Sequence, residues 1–569
     1  MKRFAPLILL ITSIALPDLA YGQAENVPVT HPVYTFLKRM EVKGMIQCYH
    51  DAILPISRRQ VAEFLSHVNE RPAELTAAER GYLEDFLSEF QFDISHSIDG
   101  FQSLIDPGQP SVESSLGGIF SNREKYLYAY SDSVTSFFVN GLLTFEGRGI
   151  TGDALGKQNA KYVQVGGRIR GTMLGHLGFY IQGTNAQFWG SRELLERDPV
   201  IGQSHALSVT NVNNFDFVEG YARYDVGIAS VQIGRERVLW GNGFDMQMVL
   251  SDNTRVPDFV RVDAQYKSLK YTFMHAWLLG TRSNLTFALP SDTSRVFDEP
   301  VFADKYFAAH RLELSFPSLF DIGFQEMVIY SNRAPDLAYL NPITLIESAQ
   351  RSRGERDNVM WAFDIQTHFL KNLELSGTML YDDIHIPYLF TDKWFDRYAW
   401  QSEMFYADAF GIPDLTLILE YTRVEPFVFA HNRSRDDSYT SLGAILGPRI
   451  GSNSDSWLIR TDYLPARNLS FSLRVLLERH GANILDSNGT LIKNVGGDIL
   501  QPHRGSDGET KKFLDGILFK TNKLQFVGTY QFINQMWLDA LYEFDAIENI
   551  TLGGREENHT FVLRMRLEF

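Results

Sequence analysis

From about residue 120 onward, apolar and polar positions alternate along the chain. Leu373, Leu375, Gly377, Met379 and Tyr381 fall on one side of a run, and Glu374, Ser376 and Thr378 on the other. Leu469, Phe471, Leu473, Val475 and Leu477 oppose Ser470, Ser472, Arg474 and Glu478 in the same way. Leu415, Leu417, Leu419 and Tyr421 oppose Thr416, Glu420 and Thr422. Period two marks a strand, because successive side chains point to opposite faces. The last stretch repeats the pattern, with Phe561, Leu563, Met565, Leu567 and Phe569 set against Val562, Arg564, Arg566 and Glu568. Its length matches the roughly 9–11 residues that a tilted strand needs to cross a bilayer. Arg or Lys on a lipid face costs roughly 2–4 kcal/mol at the midplane, so the charged sets predict a polar, wet or densely ion-paired lumen.

Between these runs the connections are of two kinds. Short ones lie near Gly175, Gly227, Ser318, Asn372, Ile412, Ala466 and Asn534. Long ones occupy 147–160, 190–211, 240–256, 281–304, 332–357, 384–398, 425–454, 480–511 and 546–558. Short periplasmic turns, long external loops and an even strand number characterise outer-membrane barrels. Nine long loops predict about 18 strands, an all-β transmembrane antiparallel barrel over residues 111–569. The final Phe569 resembles the aromatic end of the C-terminal signal strand of bacterial outer-membrane barrels. Pairing the loops makes that strand the inward-running half of the last hairpin. Arg564, Arg566 and Glu568 are then expected near the periplasmic end, away from any external ligand.

The start of the chain follows another pattern. Lys2 and Arg3, the apolar run Leu7–Leu16 and Ala20-Tyr21-Gly22 predict a signal peptide over 1–22, and hence export. No stretch reaches the roughly 20 apolar residues of a membrane helix. Residues 31–92 show helical spacing, with Tyr34, Leu37 and Met40, then Val61, Phe64, Leu65 and Val68, then Leu83, Phe86, Leu87 and Phe90. Ser57…Gln60 and Thr76…Glu79 are capping-box patterns ahead of the latter two stripes. Residues 93–118 read as a connector, so 23–110 is expected to be a small periplasmic helical segment leaning on the barrel. The run from Val33 through Gly44-Met45-Ile46 to Pro55-Ile56-Ser57-Arg58 is similar to part of a surface-layer-homology repeat, which would imply peptidoglycan as a partner.

Composition narrows the function. A net charge of −16 argues against nucleic acid, which requires a basic footprint. One cysteine, Cys48, excludes an internal disulfide framework. Aromatic residues make up 13% of the chain, which suits interfacial belts. Mean hydropathy is −0.16, as expected when inward polar residues cancel outward apolar ones. No Gly-x-Ser-x-Gly, His-Glu-x-x-His or phosphate-loop motif is present, and no cofactor or metal site is expected. Asp382-Asp383 and Asp436-Asp437 are weak cation hints, because Ca²⁺ requires 6–8 oxygen ligands. His368 and His385 have no assignable partners.

The densest group of special residues is Gly234-Arg235-Glu236-Arg237-Val238-Leu239-Trp240-Gly241-Asn242-Gly243, followed by Ser251-Asp252-Asn253. Hairpin counting places it at the outward end of a strand and in the following external loop. Gly241 and Gly243 permit a tight fold of the backbone. Trp240 offers a face for a sugar ring, and Arg235, Arg237, Asn242, Asp252 and Asn253 offer groups for hydroxyls or carboxylates. The alternative is a structural turn whose charges pair across the lumen. Glu425-Pro426-Phe427-Val428-Phe429-Ala430-His431-Asn432-Arg433 is a second candidate, for glycan binding or for loop packing.

"IGRERVLWGNG" and "LSDN" resemble the central signature of the Wzi family of outer-membrane capsule-assembly proteins. "YLNPITL" (339–345), "EYTRVEPFVFAH" (420–431), "LGPRIGSNSDSW" (446–457) and the leading "HPVYTFLKRM" resemble its other segments. The resemblance implies an 18-stranded barrel with a periplasmic helical bundle. It further implies a lectin that attaches capsular or other surface polysaccharide, with no turnover, in the outer membrane. Two other expectations stand beside it: a porin or solute channel, and a tether to peptidoglycan.

Overall fold

The computed structural model describes residues 23–105, 119–132, 134–208, 212–289, 292–354, 357–383, 386–431 and 434–569. The expected signal peptide, residues 106–118 of the connector, His385, Asn432 and Arg433 fall outside them.

Among the described residues, eighteen antiparallel strands close a barrel. The first, Ser136–Gly152, pairs with the last, Arg555–Glu568, with Arg564 opposite Glu146 and Phe561 opposite Gly149. Beyond that seam, the Phe569 amide donates to the Gly141 carbonyl at 3.0 Å. The Phe569 ring lies where a side chain at 141 would stand, so glycine makes the room. A short strand, Tyr128–Ser131, extends the first strand's ladder. The outward face carries exposed Val165, Ile181, Ile233, Leu312, Ile459, Phe561 and Leu563, the belt that a bilayer covers.

Three stretches expected to be loops are strand. Residues 147–160, 281–304 and 546–558 lie largely within the hairpins Ser136–Gly152/Gly156–Met173, Leu269–Leu289/Asp292–Phe316 and Met536–Asn549/Arg555–Glu568. There the ladder continues where apolar alternation lapses, because a strand standing in water has no apolar face to keep. The turn at Lys267-Ser268 escaped the pattern because it contains neither Gly nor Pro, although Lys267 adopts φ +54°.

The helical unit comprises α1 (Val33–Val42), α2 (Arg58–Asn69) and α3 (Ala77–Glu89). Both capping boxes form, Ser57 with Gln60 and Thr76 with Glu79. Val33, Leu37, Met40, Val61, Leu65, Leu83, Phe86 and Phe90 make its core. The unit covers the short-turn end of the barrel. Arg59 reaches Asp225 at 3.2 Å, Gln60 reaches Gln265 at 3.1 Å, Gln47 reaches Ser318 at 2.7 Å and Thr76 reaches Asp414 at 2.5 Å.

Inside, part of the lumen is dry. Residues 236–257 leave a strand of only seven residues, Ala229–Arg235, and turn inward. Leu239–Trp240 then pairs with Ile53–Leu54 from the helical unit. Val238, Trp240, Met248, Val249 and Leu250 pack with Val428, Phe429, Tyr439 and Leu446 of a second inward loop. Facing them from the wall are Phe259, Met274, Ala276, Phe307, Ala309, Met327, Ala362 and Ala399. The inward alanines leave room for the plug. The expectation of a polar lumen therefore holds for only part of it.

The stretch 332–357, expected as an external loop, lies down the barrel's outer wall. Tyr339, Ile346 and Ala349 cover Tyr306, Ala308, Val328 and Tyr330. Beneath them, a cross-strand pair, His310 and Glu326, is buried at 3.0 Å, and Glu326 also accepts the Ile346 amide at 2.9 Å. The strap shields a polar pair that lipid would not accept.

Candidate functional site

The wet remainder of the lumen is one large cavity of about 1340 Å³. Its wall comes from the first strands of the barrel (Thr144, Gln164, Arg168, Gln182) and the last (Arg474, Gln525, Arg564, Arg566). Its inner side is residues 197–205 and the plug segment 252–258. The wall is low beside the plug, where the strands Ala229–Arg235 and Asp258–Tyr266 have seven and nine residues. There the outward-facing Val218 and Trp277 join the lining, so the cavity reaches over the rim.

The candidate residues divide between the two regions. Arg235, Arg237, Asp252 and Asn253 line the cavity. Arg235 forms a two-pronged pair with Asp258 at 3.0 and 2.9 Å. Arg237 stands 3.8 Å from Asp252. Asn253 donates to the Gly447 carbonyl at 2.5 Å and ties the two inward loops together.

Trp240 and Asn242 are elsewhere. Trp240 is fully buried, and its indole N–H donates to Gln325 at 2.5 Å. Gln325 and Asn242 both donate to Asp364, at 3.3 Å each, and Arg311 neutralises that carboxylate. The loop was expected outside, with the Trp240 face open to a sugar. Its apolar residues instead drive it into the lumen, where both faces of the ring are covered by packing. Gly241 and Gly243 make this fold possible. Gly241 has φ +140°, and a Cβ on Gly243 would sit 2.0 Å from the Met246 carbonyl oxygen. Glu420 accepts the Phe244 and Asp245 amides at 2.5 and 3.0 Å and anchors the far side of the plug.

The second candidate stretch is also internal, since Glu425, Phe427, Val428, Phe429, Ala430 and His431 are buried. Phe429 stacks on Tyr439 with ring centres 5.3 Å apart. The acidic pairs hold protein, not solvent. Asp382 accepts the Phe429 amide at 2.6 Å, Arg397 binds Asp383, Asp436 accepts from Thr281 at 2.6 Å, and Asp437 accepts from Ser331 at 2.6 Å. The run compared with a surface-layer repeat faces inward too, with Met45, Ile46, Ile56 and Arg58 buried.

Pattern reading missed three parts of the cavity. Arg564, Arg566 and Glu568, expected to lie away from any ligand, line it, and Arg168 meets Glu568 at 2.5 Å. Arg449 and Arg474 converge on Asp245 of the plug. Arg255 has no special spacing to mark it, yet its Nε donates to the Gln203 carbonyl at 2.8 Å, not to a carboxylate. Burial pulls the Arg255 guanidinium below the usual arginine value. Ten basic and eight acidic side chains line the cavity, so it is slightly positive within a chain of net charge −16.

The family model described as capsule assembly protein Wzi matches residues 140–560. Among solved structures, the chain resembles the Wzi outer-membrane protein of Escherichia coli at a TM-score of 0.55 and 10% identity, covering 95% of this chain and 99% of that one. That protein is described as involved in group 1 capsule assembly and as a carbohydrate-binding β-barrel. OprD of Pseudomonas aeruginosa aligns at a TM-score of 0.40 and 10% identity, over 76% of this chain and 95% of that one. A BenF-like porin from Pseudomonas fluorescens aligns at 0.41 and 10%, over 76% and 99%. At 10% identity the likeness to the Escherichia coli barrel is one of fold. No curated protein sequence matches the chain.

Proposed function

Because the chain belongs to the Wzi family of capsule assembly proteins, we propose that it sits in the outer membrane and holds an acidic surface polysaccharide in its lumen without cleaving it. The short-turn end and its helical unit then face the periplasm. The observation that carries this reading is the cavity. At about 1340 Å³ it exceeds the roughly 300–1,000 Å³ of a small-molecule pocket, and it suits several sugar units. Arg237 and Arg255 offer donors to sugar carboxylates, while Asn253 and the rim aromatics Trp277 and Phe217 offer an amide and stacking faces. Trp240 and Asn242 serve this site from behind, by holding the plug that forms its inner wall.

Binding without turnover is supported by the state of the carboxylates. Six of the eight cavity carboxylates, Asp198, Asp245, Asp252, Asp258, Glu543 and Glu568, face an Arg or Lys within ion-pair distance. Such pairing suits fixed charge better than the proton transfers of a glycosidase. The plug that fills the dry side and the helical unit over the short-turn end weigh against a diffusion channel. Inward packing of the run similar to a surface-layer repeat weighs against peptidoglycan as a partner.

Retention of purified capsular polysaccharide by the detergent-solubilised protein tests the proposal. Arg255→Ala and Arg237→Ala are expected to weaken it about 10- to 100-fold each, since hydrogen bonds to charged groups contribute about 1.5–3 kcal/mol. Unchanged retention in both variants, with the barrel still heat-modifiable on gels, would remove the cavity from the function.

A further inference from the structure

Where α1 meets the barrel floor, a group of titratable side chains is closed off from solvent. The Lys38 ammonium lies 3.0 Å from Glu41, 3.0 Å from Asp51 and 2.6 Å from Glu374. Just beyond, His368 Nε2 stands 3.2 Å from Asp321 Oδ2, and its Nδ1 3.7 Å from Glu374 Oε2. Glu41, Asp321 and His368 each offer a donor atom, and the three atoms lie within 4.8 Å of one another.

Two features set this group apart from an ordinary ion-pair network. Asp321 and Glu374 are only 4% and 2% exposed, yet Asp321 Oδ2 and Glu374 Oε2 make no hydrogen bond among the described residues. The His368 ring meets these oxygens only as an ion pair, Nε2 to Asp321 Oδ2 at 3.2 Å and Nδ1 to Glu374 Oε2 at 3.7 Å. Unsatisfied buried oxygens and imidazole nitrogens are rare in native folds and call for a partner. The charge also fails to close. Four carboxylates (Glu41, Asp51, Asp321 and Glu374) face Lys38 and, at most, one imidazolium, so ionising all four leaves two negative charges in a buried site. Glu313, next to Asp321 through His50, is already matched by Arg311 at 2.8 Å and His50 at 2.5 Å. It contributes nothing to the imbalance.

We propose that Glu41, Asp321 and His368, with Glu374 beside them, bind one divalent transition-metal ion that fastens the helical unit to the barrel. A divalent charge cancels the excess. One imidazole among carboxylates suits the Mn²⁺, Co²⁺ and Zn²⁺ class, whereas Ca²⁺ takes 6–8 oxygens. The ligands come from three places in the chain: α1, the strand Phe320–Ser331 and the turn after Asn358–Thr367. The ion therefore crosslinks elements that are far apart in sequence. This inference is independent of what the upper cavity holds.

The test uses the purified full-length protein in detergent, stripped with chelator and dialysed separately against Zn²⁺, Mn²⁺ and Co²⁺. One equivalent per chain by elemental analysis is expected for at least one ion. The Co²⁺ form should show the visible absorption of mixed nitrogen and oxygen ligation, and amide exchange in α1 should slow at least 10-fold. His368→Gln and Asp321→Asn should retain no equivalent. Absence of retained metal in the wild type with all three ions overturns the proposal. So does equal retention in either variant with an intact barrel. If the variants fail to fold, the wild-type Co²⁺ spectrum decides, and a spectrum of free aqueous Co²⁺ overturns it.

Discussion

The two sides of the lumen share one outward face and differ entirely inward. On the dry side, inward positions are Met274, Ala276, Phe307, Ala309, Met327 and Ala362, and the plug packs against them. On the wet side they are Thr144, Gln164, Arg168, Gln182, Gln525 and Arg564, and a cavity remains. A barrel wall is therefore specified twice. The outward residues fix its place in a bilayer, and the inward residues decide whether a loop condenses inside. Inward alanines leave volume, and apolar loop residues gain roughly 25 cal/mol per Å² on filling it. Inward Arg and Gln keep water, and no apolar loop can settle on them without leaving polar groups unsatisfied.

The largest break in this comparison is Trp240→Ala. Truncating a buried Trp costs about 3–5 kcal/mol, and here it also strands the Gln325 carbonyl oxygen. The expected outcome is a loosened plug in a barrel that still forms, read as stepwise conductance in a planar bilayer where the wild type gives little. A Trp240→Ala barrel that is folded yet as silent as the wild type would mean that the dry side does not seal the lumen.

This contrast was partly legible in the sequence. Wet-side strands such as Leu469–Ala482 alternate cleanly, so closure, strand number and the lipid face followed from period two. Dry-side strands do not alternate: Tyr271–Leu279 and Met327–Tyr330 run almost continuously apolar, as strands covered on both faces do. Alternation alone predicts a wet lumen and an external loop after Arg235, whereas these continuous runs mark the side on which that loop folds inward. The site suffered most from this. Arg237, Asp252 and Asn253 stand out beside Trp240, and all four attract a binding reading. Only packing against Ile53, which is distant in sequence, separates the buried ring from the exposed charges. Arg255 carried no local mark at all. Its place depends on Gln203, 52 residues away.

A paired substitution sharpens the comparison at a smaller scale. Ala309→Leu on the dry side overpacks a filled core and is expected to cost about 1–3 kcal/mol. Thr144→Leu on the wet side points into the cavity and should stay within about 0.5 kcal/mol of wild type. Denaturant unfolding of the two proteins in the same detergent gives both values. Equal costs would show that the cavity side is as tightly packed as the plug.

The smallest expected effect lies at the boundary of the two regions, where the chain leaves the wall at Glu236. Burial pushes the Glu236 carboxyl up from its usual value near 4.5 to about 7, against the lowering effect of hydrogen bonds from Gln232 at 2.7 Å and Asn26 at 2.8 Å. A folded value above the unfolded one means that the fold prefers the protonated form. Its stabilising contribution is full below about pH 4.5 and is lost as pH rises through about 7. The root of the plug should therefore loosen on the alkaline side. Amide exchange over 236–257, corrected for intrinsic rates, is expected to be faster at pH 8 than at pH 5. In Glu236→Gln, which keeps a neutral group of the same shape, that ratio should flatten to one. Identical ratios in the two proteins would show that the wet side already hydrates Glu236, and the border between the regions would then lie deeper, toward Trp240.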